Sequence, residues 1–261
     1  MDSSLQALLA WKSLAVGAWL AALFLAERLV PAAPWPGGSP WSADTWRRVL
    51  RNALLWAINI GLSPLVVLPL TAAAAAAAPH WRPGWWQGWP GLAIDLLVLD
   101  FLIYWWHRAN HEIAFLWRFH RVHHLDRFLD TTSSVRFHFG EVLLSALARA
   151  GAVFALDVPF SSILAFEGLL LIAAIFHHSN LRLPAALERA LARVVVTPSI
   201  HWVHHRRVRS DTDSNYSTIF SVWDRPFGTR SATARLPDME IGVEGQEEAG
   251  VAGLIARPFQ S

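Results

Sequence analysis

GLAIDLLVLDFLIYWWHRANHE, residues 91–112, joins the two patterns that decide the fold. The stretch from Gly91 to Trp106 is an almost unbroken apolar run, which is typical of a helix inside a bilayer. His107 and His111 follow at a spacing that puts both imidazoles on one face of a helix. The segment therefore predicts a membrane helix that emerges at a pair of potential metal ligands.

The composition of the whole chain indicates an integral membrane protein. Of its 261 residues, 54% are hydrophobic and only 16% are charged, whereas a soluble domain carries about 25% charged residues. The mean hydropathy is +0.31. No linker separates regions of different composition, so we expect one membrane domain over residues 1–261, without a cleavable signal peptide.

Apolar runs that approach the width of a bilayer recur along the first two thirds of the chain. They predict an all-α membrane protein with four or five membrane-embedded helices, because helices satisfy their own backbone groups in lipid. Whether the last two runs cross fully stays open. Residues 1–90 would form N-terminal membrane helices, residues 91–230 a histidine-box catalytic region and residues 231–261 a surface tail. The predicted spans are Leu5–Val30, Val49–Ala73, Gly91–Trp106, Val142–Leu156 and Phe160–Phe176.

Arginines and tryptophans predict the orientation of these helices. Arg47, Arg48 and Arg51 flank the first loop, and further arginines surround the histidines. Four tryptophans between Pro79 and Pro90 form an aromatic belt at the other interface. By the positive-inside rule, the histidines then lie in a helical cap on the cytoplasmic side.

Three boxes of histidines at helical spacing, together with His178, carry the chemical signal. Within a box, positions i, i+3 and i+4 share one helix face, and neutral imidazole binds iron, zinc and copper well. The sequence contains no cysteine, which excludes thiolate ligands and iron–sulfur clusters within it. Nine histidines are too many for one ion, so they favour a dimetal site whose metal the spacing leaves open. The nine are His107, His111, His120, His123, His124, His178, His201, His204 and His205.

Three carboxylates lie in helical phase with these histidines or next to them. Asp100 precedes His107 by seven residues and is expected to accept a hydrogen bond from a ligand ring, which fixes its orientation. Glu167 lies eleven residues before His178 within a predicted span, where it needs a polar partner or a proton. Glu112 either orients a histidine or pairs with an arginine.

These motifs resemble the fatty acid hydroxylase / sterol desaturase superfamily over about residues 92–230. The chain departs from the family pattern at Phe139, where relatives often have Pro, and at Ser217, where they have Gly. The resemblance is carried by His107-Arg-Ala-Asn-His111-Glu112, His120-Arg-Val-His123-His124, Phe176-His-His-Ser-Asn180, Thr197-Pro-Ser-Ile-His201-Trp-Val-His204-His205, Asn215-Tyr216 and Trp223-Asp-Arg-Pro-Phe227-Gly228-Thr229.

The resemblance implies an oxygen-dependent, membrane-bound di-iron enzyme that hydroxylates or desaturates an unactivated C–H bond of a lipid. It implies that the nine histidines bind two iron ions and that O2 is the co-substrate. His138 is then either a ligand or a residue that lines the site. Asn180, Asp213 and Asn215 orient ligands, and Tyr104 either lines the path of the substrate or anchors the helix at the interface.

The expected partners are the lipid bilayer, a membrane lipid substrate and a separate electron donor. The chain shows no Gly-rich dinucleotide fingerprint, no cysteine and no haem module, so a reductase, ferredoxin or b-type cytochrome must supply electrons. The Arg-rich face could dock such a carrier if it is acidic. Nucleic acid is not expected, because no soluble basic face exists to bind it.

The apolar spans and the distribution of arginines predict a protein of the bacterial inner membrane whose active site faces the cytoplasm. The substrate stays open among fatty acyl, sterol-like, carotenoid and alkylglycerol lipids, and so does the choice between hydroxylation, desaturation and ether cleavage. A histidine-rich metal transporter or metal-binding membrane protein and a zinc lipid hydrolase are the two alternative interpretations.

Overall fold

The computed structural model describes residues 3–260, with side chains from residue 10 onward. This part of the chain is helical and contains no β-strand beyond three isolated bridges. Five helical runs in it are long and apolar enough to cross a membrane, which confirms the predicted all-α membrane architecture. They are α1 (Ser3–Leu29), α2 (Ala43–Leu62) continued by α3 (Leu68–Ala77), α4 (Gly88–Glu112), α6 (Phe139–Leu156) and α7 (Phe160–His178).

Short helices fill the regions between and after these spans and form the cap that the sequence predicts. One of them, α5, directly follows α4 and packs against it, and α9 packs against α7. The cap therefore rests on the ends of two spans. Its helices are α5 (Ala114–His124), α8 (Ala185–Leu191), α9 (Pro198–His204), α10 (Arg209–Thr212) and α11 (Val251–Ala256).

The second span contains a π-helical turn at Ser63–Val67, which joins α2 to α3. Pro64 lies in this turn and explains it, because proline lacks the N–H that an α-helical hydrogen bond would need. The combined run has 35 residues and is about 52 Å long at 1.5 Å per residue. It exceeds the hydrocarbon layer of about 30 Å, so its first turns, with exposed Arg47, project beyond that layer.

The tryptophan-rich loop before α4 lies at the end of the bundle opposite to the histidines. Trp81 donates to the carbonyl of Ala155 at 3.1 Å, and Arg82 donates to that of Leu156 at 3.3 Å. The loop therefore meets the far end of α6, whose other end begins beside the histidines. His80 is exposed in this loop, as expected for an interfacial residue.

The described part of the predicted surface tail, residues 231–260, packs in part against the helices. Leu254 is fully buried and packs with Leu55 of α2. Glu248 forms ion pairs with Arg51 at 3.2 Å and with Arg136 at 2.9 Å. A buried guanidinium needs an acidic partner, and the acidic C-terminal segment supplies it from far along the chain. The sequence did not reveal these contacts, because this segment has no long apolar run.

Candidate metal centre

All nine histidines that the sequence singles out converge at one end of the spans. They form two groups, and within each group the candidate ligand atoms lie within 4.8 Å of one another. The first group consists of His107, His111, His120, His124 and His204, and the second of His123, His178, His201 and His205.

Each box of the form His-x2-His-His contributes to both groups. On α5, His120 and His124 face the first group, whereas His123 faces the second. On α9 and its C-cap, His201 and His205 face the second group. Residues four apart share a helix face, and the third member is rotated away from them. The spacing of a box thus allows it to bridge two sites.

The Nε2 atoms approach one another as ligands of a shared ion would. Two nitrogens bound to one ion at about 2.1 Å and separated by 90–110° lie about 3.0–3.4 Å apart. In the second group, the Nε2 atom of His178 is 3.1 Å from that of His123 and 3.0 Å from that of His201. In the first group, the Nε2 atoms of His120 and His124 are 3.3 Å apart. The spacing fits coordination to metal.

Six of the nine rings are held through Nδ1 by an oxygen behind them. Such a hydrogen bond fixes the tautomer and the ring orientation and leaves Nε2 to face the centre of the group. The pairs are His107 with the Tyr216 carbonyl (2.8 Å), His111 with Asp213 (3.3 Å), His120 with Glu141 (2.7 Å), His123 with the Arg136 carbonyl (3.1 Å), His178 with the Ala174 carbonyl (2.8 Å) and His204 with the Ser214 carbonyl (2.6 Å).

The chemistry of the donor set also fits a metal. The Nε2 atoms of His111 and His204 are buried without a hydrogen-bond partner, and an unsatisfied buried polar atom costs about 1–3 kcal/mol. Burial lowers the pKa of His123, His124 and His204 well below the ordinary value. These rings are therefore neutral near pH 7, the form in which imidazole binds a metal.

A cavity of about 530 Å³ ends at both groups of histidines. Its walls come from α4, α6 and α7 and are mainly apolar, and they include Trp105 and Trp106. The indole of Trp106 donates to the hydroxyl of Ser145 at 2.8 Å across the cavity wall. His107 and His178 line its inner end, so a bound molecule would reach both groups from one side.

Asp100 does not contact a histidine, contrary to the prediction from helical phase. Its carboxylate accepts hydrogen bonds from the backbone N–H groups of Ile219 and Phe220 at 3.2 Å each, and from the indole of Trp223 at 2.7 Å. The carboxylate is saturated by a loop more than 100 residues later in the chain. Asp100 therefore anchors the loop that follows Tyr216.

Glu167 does not orient a histidine either. It pairs with Lys12 of α1 at 2.7 Å and with Arg149 of α6. A carboxylate inside a membrane helix needs polar partners, and two cations from other helices meet that need. Glu112 pairs with Arg108 at 2.7 Å on the surface, which decides between its two predicted roles.

The three polar residues that the resemblance assigns as orienters differ in what they touch. Asp213 lies behind His111, as described above. Asn180 instead exchanges two hydrogen bonds of 2.9 Å with the backbone of Ala33 and ties the end of α7 to the chain after α1. The turn after α7 directs this side chain toward the segment that follows α1, and its hydrogen-bond partners do not include a histidine.

Asn215 shapes a turn without touching a histidine ring. Its φ of +52° lies in the left-handed region, which asparagine tolerates better than most residues. Its amide donates to the Ile200 carbonyl at 3.2 Å. The turn presents the carbonyls on either side of it, those of Ser214 and Tyr216, to rings of the first group.

His138 and Tyr104 lie outside the site. His138 caps α6: its Nδ1 accepts from the N–H of Gly140 at 2.9 Å, and its Nε2 donates to the Ile255 carbonyl at 3.0 Å. With both nitrogens engaged, it belongs to neither group. Tyr104 is fully buried, with its hydroxyl 3.0 Å from that of Thr229, and its neighbours Trp105 and Trp106 line the cavity instead.

Two further residues line the cavity beside the histidines, and the sequence assigned no role to either. Glu141 supports His120, and its second carboxylate oxygen is buried without a partner at the cavity wall. The signal that could have found it is its position two residues after Phe139, where the family pattern often has Pro. His177 also lines the cavity, with its ring 4.0 Å from that of His201. It stays outside both groups, and only its neighbour His178 pointed to it.

Comparison with known proteins assigns the family. The sequence pattern of the fatty acid hydroxylase family matches residues 92–229, which include both groups of histidines. An ornithine lipid hydroxylase of Rhizobium tropici is 26% identical over 255 residues, which cover 96% of this chain and 76% of that protein. An alkylglycerol monooxygenase of Xenopus tropicalis is 31% identical over 151 residues, 55% of this chain and 30% of that protein.

The human alkylglycerol monooxygenase is 30% identical over 143 residues, 52% of this chain and 29% of that protein. This chain thus aligns with less than a third of the length of those monooxygenases. No solved structure matches it significantly. The family pattern covers more than half of the chain and contains its whole histidine cluster. The chain therefore belongs to the fatty acid hydroxylase family and is a membrane-bound oxidoreductase of that type.

Proposed function

We propose that this enzyme is an oxygen-dependent lipid hydroxylase in which each group of histidines holds one iron ion. The observation that carries the proposal is the position of both groups at the inner end of one mainly apolar cavity. Relatives named ornithine lipid hydroxylase and alkylglycerol monooxygenase support a lipid substrate. All nine predicted histidines are the ligands in this proposal, and His138 is not one.

The protein contributes orientation to the metal chemistry. Five histidines would hold one ion and four would hold the other, and both numbers are below the six ligands that an octahedral iron ion can take. An iron pair, when bound, supplies the O2-dependent oxidation of a C–H bond that no side chain can perform. Glu141 and the carbonyls of Ser214 and Tyr216 hold their rings so that Nε2 faces inward.

The cavity binds the hydrocarbon part of the lipid. Its lining follows α7 from His178 back to Phe166, which spans about 18 Å at 1.5 Å per residue. Each methylene group that leaves water for this wall contributes about 0.8 kcal/mol. The apolar walls also exclude bulk water from the carbon that reacts. A chain bound along α7 presents one of its carbons to both groups of histidines.

A separate electron donor is part of this proposal, because the sequence has no cysteine and no dinucleotide fingerprint. We place its docking face on the cytoplasmic side, where Arg47, Arg118 and Arg209 are exposed. Two other arginines do not contribute to that face. Arg48 is buried against Asp126 and Asp130, and Arg136 is buried as described above.

The arrangement argues against the two alternative interpretations. A transport path needs ligands distributed through the depth of the membrane, whereas these histidines lie at one end of the spans. A hydrolytic zinc site uses about three protein ligands and one water, which is far fewer than nine nitrogens. The proposed oxygenase accounts for the whole set.

Metal analysis combined with oxygen consumption tests the proposal on the purified protein. We expect about two iron ions per chain, and O2 uptake only when a reductant and a lipid are both present. Protein that holds a single zinc ion and consumes no O2 under these conditions would contradict it. Transfer of metal across liposomes that contain the protein would instead support transport.

A further inference from the structure

A second cavity, of about 550 Å³, lies beside α9 and shares no lining residue with the histidine-lined cavity. Its wall includes Ala32, which follows α1, and Leu181, which follows α7. The rest of the wall comes from the two residues after Leu181, from α8 and its C-cap, from the start of α9, from Asn215, and from residues 230–235 and 237. We call it the arginine cleft because of the side chains described next.

The arginine cleft has a large excess of positive charge. Four arginines line it, against a single carboxylate, that of Glu188. This carboxylate is already engaged, because it accepts the backbone N–H of Ser199 at 2.9 Å. Among the described residues, none of the four arginines forms an ion pair with a carboxylate, although many arginines elsewhere do. The four are Arg182, Arg189, Arg230 and Arg235.

Arg235 is the most deeply placed of these cations. Its guanidinium lies 3.8 Å from the ring centroid of Trp202 and donates to the Asn180 side chain at 3.3 Å. Its Nε atom is buried without a partner. Burial lowers the pKa of Arg235 to about 10, and the nearby Glu188 carboxylate opposes this shift without forming an ion pair with it. The group therefore stays charged near pH 7. Arg235 is partly buried. A guanidinium that is largely removed from water is stabilised by an accompanying anion, and its planar geometry suits phosphate and carboxylate groups.

The surroundings of the arginine cleft indicate that this anion belongs to a lipid. Leu29, the last residue of α1, is 81% exposed, and Leu187 of α8 and Leu236 are also exposed. Each lies within three residues of a residue that lines the cleft. The cleft thus opens where two spans leave the apolar layer, with apolar side chains beside it, which is the level of lipid headgroups.

We propose that the arginine cleft binds the phosphate or carboxylate oxyanion of a membrane lipid headgroup, whose hydrocarbon chains lie along the exposed leucines. This site is separate from the histidine-lined cavity, so it requires neither metal nor turnover. It stands or falls independently of the proposed lipid hydroxylation. A cleft lined by charge of one sign raises the local concentration of the opposite charge, which makes anionic lipids the preferred class.

Calorimetric titration of the purified full-length protein in neutral detergent tests this site. The probes are dihexanoyl-phosphatidylglycerol, which is a soluble anionic lipid, and inorganic phosphate. The test variant is R189Q/R230Q, which removes two exposed arginines from the cleft wall. The control is R193Q/R225Q, which removes two exposed arginines that lie outside it. Each arginine near an anionic headgroup contributes about fivefold in affinity, so the test variant should bind the lipid about 25-fold more weakly.

The expected result is lipid binding that weakens in R189Q/R230Q and stays unchanged in R193Q/R225Q, with inorganic phosphate binding at least tenfold more weakly than the lipid. Equal loss in both variants would overturn the proposal, since general surface charge would then explain binding. Inorganic phosphate that binds as tightly as the lipid would overturn it in favour of a soluble anion. Absence of lipid binding by the unmodified protein would overturn it outright.

Discussion

Replacement of Glu141 by glutamine tests whether a carboxylate behind a histidine holds that ring in a metal-binding position. The Oε1 atom of Glu141 lies 2.7 Å from Nδ1 of His120, and both side chains are buried. Glutamine preserves the size of the side chain, but a hydrogen bond to its neutral oxygen has about half the strength of one to a carboxylate. Loss of such support weakens metal retention by about 10–100-fold, equivalent to about 1.4–2.7 kcal/mol.

The assay is iron retention during dialysis against graded concentrations of a chelator, with iron measured by elemental mass spectrometry. Glu112→Gln is the matched control, because this carboxylate neighbours His111 in sequence but pairs with Arg108 on the surface. We expect the Glu141 variant to release iron at about 10–100-fold lower chelator concentration. We expect the control to follow the unmodified protein.

Two outcomes would refute this reasoning. Glu141→Gln could retain iron as tightly as the unmodified protein, which would mean that packing alone orients His120. Alternatively, Glu112→Gln could lose iron to the same extent, which would mean that charge near the site matters and the contact at 2.7 Å does not.

Three further changes have defined outcomes. Gly140→Ala would place a Cβ atom 2.6 Å from the ring of Phe119. Overpacking should therefore lower the free energy of unfolding, measured with denaturant, by about 1–3 kcal/mol. An unchanged free energy of unfolding would mean that the ring moves aside without cost. Asp100→Asn should lower stability by about 1–3 kcal/mol, because three N–H groups lose their charged acceptor. Iron per chain should stay unchanged. Unchanged stability with a loss of iron would favour direct support of a ligand. His204→Ala should abolish O2 consumption and lower the iron content. His80→Ala should do neither, because His80 lies at the opposite interface. Equal effects of the two substitutions would contradict the assignment of His204 as a ligand.

The spans were predictable because hydropathy is a local property of the sequence. Predicted ends such as Leu5–Val30 differ by only a few residues from the observed α1 (Ser3–Leu29). The two largest differences are of six residues. The second span begins at Ala43 and not at Val49, and α4 continues from Trp106 to Glu112, so that it carries His107 and His111 on its last turns. Helical periodicity does not stop where the apolar run stops.

The supporting residues were much harder to predict, because their partners are distant in sequence. Glu167 is 155 residues from Lys12, and Asp100 is 123 residues from Trp223. Helical phase correctly predicts on which face of its helix a carboxylate lies. It does not reveal which other segment of the chain packs against that face. Glu141 and His120 illustrate the same difficulty. They are 21 residues apart on different helices, so helical phase could not predict their contact.

The sequence by itself determined that the chain is a bundle of membrane helices and which nine histidines belong together, since apolar length and helical spacing need no knowledge of distant contacts. Only the tertiary structure decided that these histidines divide into groups of five and four, because that division depends on how α4, α5, α7 and α9 face one another. It also decided which oxygen lies behind each ring. Hydrogen bonds act over about 3 Å in space, and the sequence order carries no direct record of those distances.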